Sequence, residues 1–520
     1  MTTSDALTIP GLLERAAREF PDLEAVVDGP VRLTYAELHD RVRAAARSFA
    51  ALGVAPGDRI SIWAPNGHRW VVTALGAVGA GAALVPINTR YKGDEARWVL
   101  ARGGVRALFV EDGFLGNDYL AMLDEGEGRP PALETVVAYD DAAVPGTTGW
   151  ADFLATGERV PAERAAARWA AVTPGDVADV LFTSGTTGRP KGVLCTHEQD
   201  VRTFAAWCGR TGLSRGDRYL IVNPLFHSFG YKAGVLACLL QGATMVLQRV
   251  FEPAETMRLV EAERITVLPG PPTLYTSMLD APERARFDLS SLRLAVTGAA
   301  TVPVELVRRT RAELFPQVVT AYGLTESCGT VTSCSLEDDD ETVATTSGRP
   351  IEGVEVAVVD AWGDPVPAGE DGEVLVRGYN VMLGYLDDPA ATAEAVRDGW
   401  LVTGDRGRLD ARGNLTITGR SKDMYVVGGF NVYPAEVEDT LARHDSVAEA
   451  AVIGVPDPRL GEVGRAYVVL HPDTKATVET LIEHCRARLA NFKVPREVVF
   501  VEGLPRNAMG KVQKTELPSR

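Results

Sequence analysis

Short apolar runs alternate with longer amphipathic stretches through about the first 330 residues of the chain. Runs at 83–88, 107–111, 135–138, 177–183, 218–223, 244–248, 266–269, 292–297 and 318–322 are too short for helices and are bounded by turn residues, so they predict buried strands. Strands alternating with helices predict parallel α/β layers. One longer apolar stretch, 70–87, contains Gly76, Gly79, Gly81 and Pro86, which predicts a buried helix running into a strand rather than a membrane span. From about residue 348 the texture changes. The clusters Asp360-Ala361-Trp362-Gly363, Gly369-Glu370-Asp371-Gly372 and Asp410-Ala411-Arg412-Gly413-Asn414 predict hairpins of a smaller β unit. A third unit follows position 420, with helices expected at 434–444 and 478–490 and strands at 450–455, 466–472 and 497–501.

The expected fold class is therefore α/β: a large N-terminal domain over 1–420, made of layered α/β subdomains plus a small β-barrel at 345–420, and a mobile α+β C-terminal domain over 421–520. A length of 520 residues and 46% hydrophobic content suit such a multi-unit globular chain. The net charge of −17 would repel a phosphate backbone, which argues against bulk nucleic-acid binding. Residues 1–20 carry Asp5, Glu14 and Glu19 and no apolar core, so they predict an amphipathic helix rather than a signal peptide, and a cytoplasmic protein. Six cysteines without Cys-x-x-Cys spacing read as reduced core thiols. His197-Glu198 opens like a zinc-protease helix, but position 201 is Val, so the second histidine is missing.

The strand at 177–183 runs into Thr183-Ser184-Gly185-Thr186-Thr187-Gly188-Arg189-Pro190-Lys191-Gly192. Glycines let backbone N–H groups turn toward an anion, hydroxyls add donors, and the lysine adds a point charge, the composition of a polyphosphate cradle. It is not a Walker A loop, because Gly rather than Ser or Thr follows Lys191, nor a hydrolase elbow, because Phe182 stands where the first glycine would be. The loop resembles the signature of the acyl-adenylate-forming enzymes, which include acyl-CoA synthetases, nonribosomal adenylation domains and luciferases. Four further motifs match in order: Tyr322-Gly323-Leu324-Thr325-Glu326, Trp400 to Asp405, Gly419-Arg420-Ser421-Lys422-Asp423 with Gly428-Gly429-Phe430, and Pro505 to Lys511.

The resemblance implies an ATP-dependent ligase that forms an acyl-AMP and then a thioester of coenzyme A, releasing pyrophosphate and AMP. It implies that Ser184 to Lys191 hold the β and γ phosphates, that Glu326 holds Mg2+ and that Thr325 bonds a phosphate oxygen. Asp405 would grip the ribose hydroxyls with support from Arg420, and Gly298-Ala299-Ala300 would pack against adenine. Lys511 would neutralise charge between the carboxylate and the α-phosphate, Lys422 would be the hinge, and Gly428-Gly429 would line a pantetheine tunnel.

Amino-acid-activating relatives carry an Asp after the aromatic residue of the segment that here reads Phe226-His227-Ser228-Phe229-Gly230-Tyr231-Lys232, so His227 favours a plain carboxylic acid and resembles the aromatic gate of acyl-CoA synthetases. Phe229, Tyr231, Lys232, Gly234, Pro272, Thr301 and Ser327 are the expected acyl pocket. Segments 226–239, 267–275 and 296–303 are similar to ligases acting on ring-bearing propanoates left by sterol breakdown. Lys232 then either meets a substrate ring ketone or snorkels to solvent. A carrier-protein-loading enzyme and a non-adenylating member remain alternatives. A homodimer and regulatory acetylation of Lys511 complete the expectations. Only eight of the 53 basic residues are lysines, and Lys191, Lys232, Lys422 and Lys511 all fall in these segments.

Overall fold

The computed structural model describes residues 7–126, 128–140, 144–183, 190–298, 304–420, 424–471, 474–505 and 512–518. Two large sheets and the helices packed on them form the first layers. In the nine-stranded sheet, Gln317–Tyr322, Leu294–Gly298, Val267–Pro269, Arg218–Ile221, Thr244–Leu247 and Glu24–Asp28 follow one another in parallel register. The eight-stranded sheet runs in parallel from Val177–Thr183 through Ala83–Pro86, Arg59–Trp63 and Val105–Val110 to Thr135–Ala138. Crossovers of this kind bury both faces of a parallel sheet, which is why the strands read as near-continuous apolar runs.

The apolar stretch at 70–87 becomes the buried helix His68–Gly79 and the strand Ala83–Pro86, as its glycines predict. Gly76 has a packing reason: a Cβ there would lie 2.8 Å from the Cβ of Ala45 on the neighbouring helix Tyr35–Ala51. Among the described residues no helix is long and apolar enough to cross a membrane. The amphipathic N-terminal helix is Ile9–Glu19, with Thr8 accepting from the Gly11 N–H at its start.

Val354–Val359, Gly372–Gly378, Trp400–Leu409, Val396–Arg397 and Leu415–Arg420 make a curled half-barrel sheet. The hairpin at 410–414 closes as its sequence predicts. Asp410 Oδ1 accepts from the N–H groups of Arg412 and Asn414, and Gly413 takes the left-handed conformation. The terminal unit has its own sheet, in which Val447–Asp457, Gly461–Leu470 and Glu497–Phe500 pair beside the hairpin Tyr425–Val427 and Phe430–Val432. Helices Pro434–Ala442 and Val478–Arg488 cover that sheet, and all six cysteines in the chain are free and buried.

Candidate active site

Val177–Thr183 and Lys191–Thr196 pair antiparallel, and the ladder ends with Thr183 opposite Lys191. The hairpin therefore carries the anion loop; Ser184, Gly185, Thr186, Thr187 and Gly188 lie outside the described residues. At its mouth three elements meet. Thr183 Oγ1 donates to Glu326 Oε1 at 3.4 Å, and the hydroxyl of Tyr385 donates to the same oxygen at 2.9 Å. The Lys191 ammonium stands 5.2 Å from the Tyr385 ring centre. Burial, followed by the Glu326 carboxylate, pushes the Tyr385 phenol far above its ordinary value, so it stays a donor. An ammonium, two hydroxyls and a carboxylate around one point suit phosphate oxygens and a hard cation.

Thr325 and Glu326 are presented by a tight turn just after the strand Gln317–Tyr322. Gly323 permits that turn, because a Cβ there would lie 2.3 Å from the carbonyl oxygen of Gly329. Tyr322 reaches the other way: its hydroxyl donates to Asp405 Oδ2 at 2.6 Å and ties the nine-stranded sheet to the half-barrel. Asp405 is almost wholly buried in Trp400–Leu409, and Arg420 stands directly across the ladder from it. Gly298 closes its strand against Ala321, whose carbonyl oxygen would be 2.4 Å from an added Cβ. Ala299, Ala300, Thr301, Lys422, Lys511 and the Arg420 side chain lie outside what is described.

The expected acyl segment divides. His227 is exposed, with its Nδ1 accepting from the Phe229 N–H, and Phe229 is half-buried, edge-on to Trp207. Gly234 packs on Ile221, and Pro272 starts the buried helix Pro272–Leu279. Tyr231, Lys232 and Ser327 differ from expectation. Tyr231 is fully buried beside Trp70, and the Ser327 hydroxyl closes its own turn by bonding the N–H and the carbonyl of Leu324.

Lys232 neither snorkels nor faces a ketone. Its side chain is fully buried, with Nζ 2.7 Å from Asp200 Oδ1 and 3.0 Å from Asp179 Oδ2. Burial and then the neighbouring Asp179 hold the Asp200 carboxyl well above the usual carboxylate range. The reason lies in strand Val177–Thr183, where Asp179 interrupts an apolar run and needs a buried cation. That interruption was the legible signal for the pair. Among the described residues Cys195, Asp200 and Cys328 have metal-ligand spacing, but the Lys232 ammonium already occupies Asp200. Tyr385 had no comparable signal: it is a single aromatic residue whose role appears only when its short strand, Gly384–Tyr385, pairs beside Lys191–Thr196.

In the terminal unit, Gly428 and Gly429 both take positive φ at the tip of the hairpin, and a Cβ on Gly429 would lie 3.6 Å from Pro271. Phe430, beside them, stacks on Phe492 at 4.6 Å, and the Arg90 guanidinium stands 5.7 Å from its ring centre.

Residues 13–386 match the AMP-binding enzyme family, and 436–511 match the AMP-binding enzyme C-terminal domain. The chain belongs to the AMP-binding enzyme family. It is 54% identical over 520 residues, 99% of each chain, to 3-[(3aS,4S,7aS)-7a-methyl-1,5-dioxo-octahydro-1H-inden-4-yl]propanoyl:CoA ligase of Rhodococcus jostii strain RHA1. Among solved structures it is similar to a double mutant of o-succinylbenzoate CoA synthetase from Bacillus subtilis bound with its product analogue, at TM-score 0.81, 27% identity and 98% coverage of each chain. Against the same synthetase in complex with its acyl-adenylate intermediate the TM-score is 0.65, at 27% identity and 97% coverage of each chain. This AMP-binding enzyme is an acid–thiol ligase that uses ATP and coenzyme A.

Proposed function

We propose that the chain activates a ring-bearing, steroid-derived propanoate, of the indanedione type named for its relative, as the CoA thioester. The observation that carries this reading is the meeting of Thr183, Lys191, Glu326 and Tyr385 beside the Tyr322–Asp405 pair, in a chain 54% identical to that relative from end to end.

In the first step a carboxylate oxygen attacks the α-phosphorus of ATP, the bond to pyrophosphate breaks, and an acyl-AMP forms. Lys191, with Ser184 to Gly188, holds the departing phosphates, Thr325 bonds a phosphate oxygen, and Asp405, backed by Tyr322 and Arg420, holds the ribose. Glu326, with its oxygen already among hydroxyl donors, fits Mg2+, which when bound neutralises phosphate charge. Lys511 would bridge the attacking carboxylate and the α-phosphate. In the second step the CoA sulfur attacks the acyl carbon, the thiol proton is lost and AMP departs. His227 would gate the thiol path, and Phe229, Gly234, Pro272 and Thr301 would line the acid.

We read the orientation of the terminal unit as the one suited to thioester formation. The position of Gly429, from which an added Cβ would stand 3.6 Å from Pro271, and the higher TM-score to the product-analogue complex both support this. Lys422 would be the hinge between this orientation and the adenylating one.

The test compares kcat/KM for acyl-CoA formation across a panel: an indanedione propanoate, a medium-chain fatty acid, a hydroxycinnamate and acetate. The dioxo ring acid is expected to lead by at least about tenfold. Equal or better use of another acid overturns the substrate assignment.

A further inference from the structure

Lys493 belongs to the terminal unit, yet its ammonium is buried at the junction with the first layers. It bonds Glu436 Oε1 of its own unit at 2.6 Å and Glu95 Oε1 of the helix Gly93–Arg102 at 2.7 Å. The Lys493 side chain is 1% exposed and both carboxylates are 7% exposed. The Tyr91 ring centre stands 4.5 Å from the ammonium and closes that side. Around this group, Ala490 and Phe492 pack into the apolar cluster of Tyr91, Ala96 and Val99. The second oxygen of Glu95 accepts from the Lys92 N–H, so the carboxylate is fixed before Lys493 arrives.

Two of the four groups, Lys493 and Glu436, move with the terminal unit, and two, Glu95 and Tyr91, stay with the first layers. Any large rotation of the unit must separate Lys493 from Glu95 and rehydrate both. A buried ion pair of this kind adds little net stability over an apolar contact, but it penalises every arrangement that leaves one charge buried alone. Its consequence is specificity of orientation.

We propose that Lys493, by locking onto Glu95, positions the terminal unit for the thioester-forming step. This rests on the two-step reading above and deepens it: the pair biases the balance between two orientations and touches neither substrate nor reacting atoms.

The test separates the half-reactions in the full-length enzyme. Glu95→Gln keeps the Lys493–Glu436 bond and the terminal unit's own core. CoA transfer from supplied acyl-AMP is expected to slow by about tenfold, while pyrophosphate release from ATP and acid stays within about twofold of wild type. Lys493→Met should show the same split, and the double variant should be no slower than the worse single one. Equal loss of both half-reactions, or no loss in either variant, overturns the proposal. Failure of the wild-type chain to release pyrophosphate with any acid would instead overturn the proposed function, so the two failures are distinguishable.

Discussion

At the scale of single residues, buried charges explain more than motifs do. Asp179, Asp200 and Lys232 are each fully buried, and removing the one cation leaves two acids facing each other in the core. Lys232→Met should cost about 3–5 kcal/mol of stability, read as a lowered denaturant midpoint, with the KM for a keto acid unchanged in the folded fraction. An unchanged midpoint with a raised KM would restore the ketone contact that the sequence suggests. His197 makes a pH-dependent contribution. Burial pushes its imidazole down from 6.5 to about 4, against the opposing pull of Asp176 and Asp179. Its neutral ring accepts from the Ile9 N–H at 3.3 Å. The folded value is depressed, so this contribution is complete above pH 6.5 and drains away as pH falls from 6.5 toward 4, by about 3 kcal/mol in all. Melting curves of wild type and His197→Gln should converge across that window; parallel curves would contradict it. Lys191, Glu326 and Asp405 were legible because motif chemistry demands them. The sequence leaves Lys232 between a ketone contact and a snorkelling side chain because nothing in a linear pattern says which face of a helix meets Asp179.

At the scale of elements, strand existence was legible wherever an apolar run was flanked by turn residues, as at Thr135–Ala138 and Val177–Thr183. The early strands Glu24–Asp28 and Arg59–Trp63 carry a weaker signal, because each has a charged residue at its start and stands beside a stronger helical pattern. Around Lys232 the helix widens: Tyr231–Leu236 is wound as a π-helix, and all six of its residues are buried. The glycine hairpin is the element whose role is most open to test. Gly429→Leu places a side chain at φ +88° toward Pro271, and should abolish CoA transfer from supplied acyl-AMP while sparing adenylate formation. Lys511→Ala should do the reverse. Equal loss of both half-reactions in both variants would refute a division of labour between the two ends of the terminal unit.

At the scale of the whole molecule, the proposed active site lies where three sheets are stitched by side chains: Thr183 and Tyr385 to Glu326, and Tyr322 to Asp405. The motifs announced the chemistry, but not that stitching, because each bond joins residues 59 to 143 positions apart. The Lys493–Glu95 contact spans 398 positions and carries no local signature at all. It depends on the orientation of one unit against another. In the proposed reaction the molecule makes an acyl-adenylate before it meets the thiol. The most direct measurement mixes enzyme, ATP and the dioxo ring propanoate without CoA, follows pyrophosphate through a single turnover, and then adds CoA. A burst of pyrophosphate near one equivalent of enzyme, followed by acyl-CoA and AMP in equal amounts after CoA arrives, is the predicted result. Pyrophosphate appearing only once CoA is present, or not at all with any acid, would contradict it.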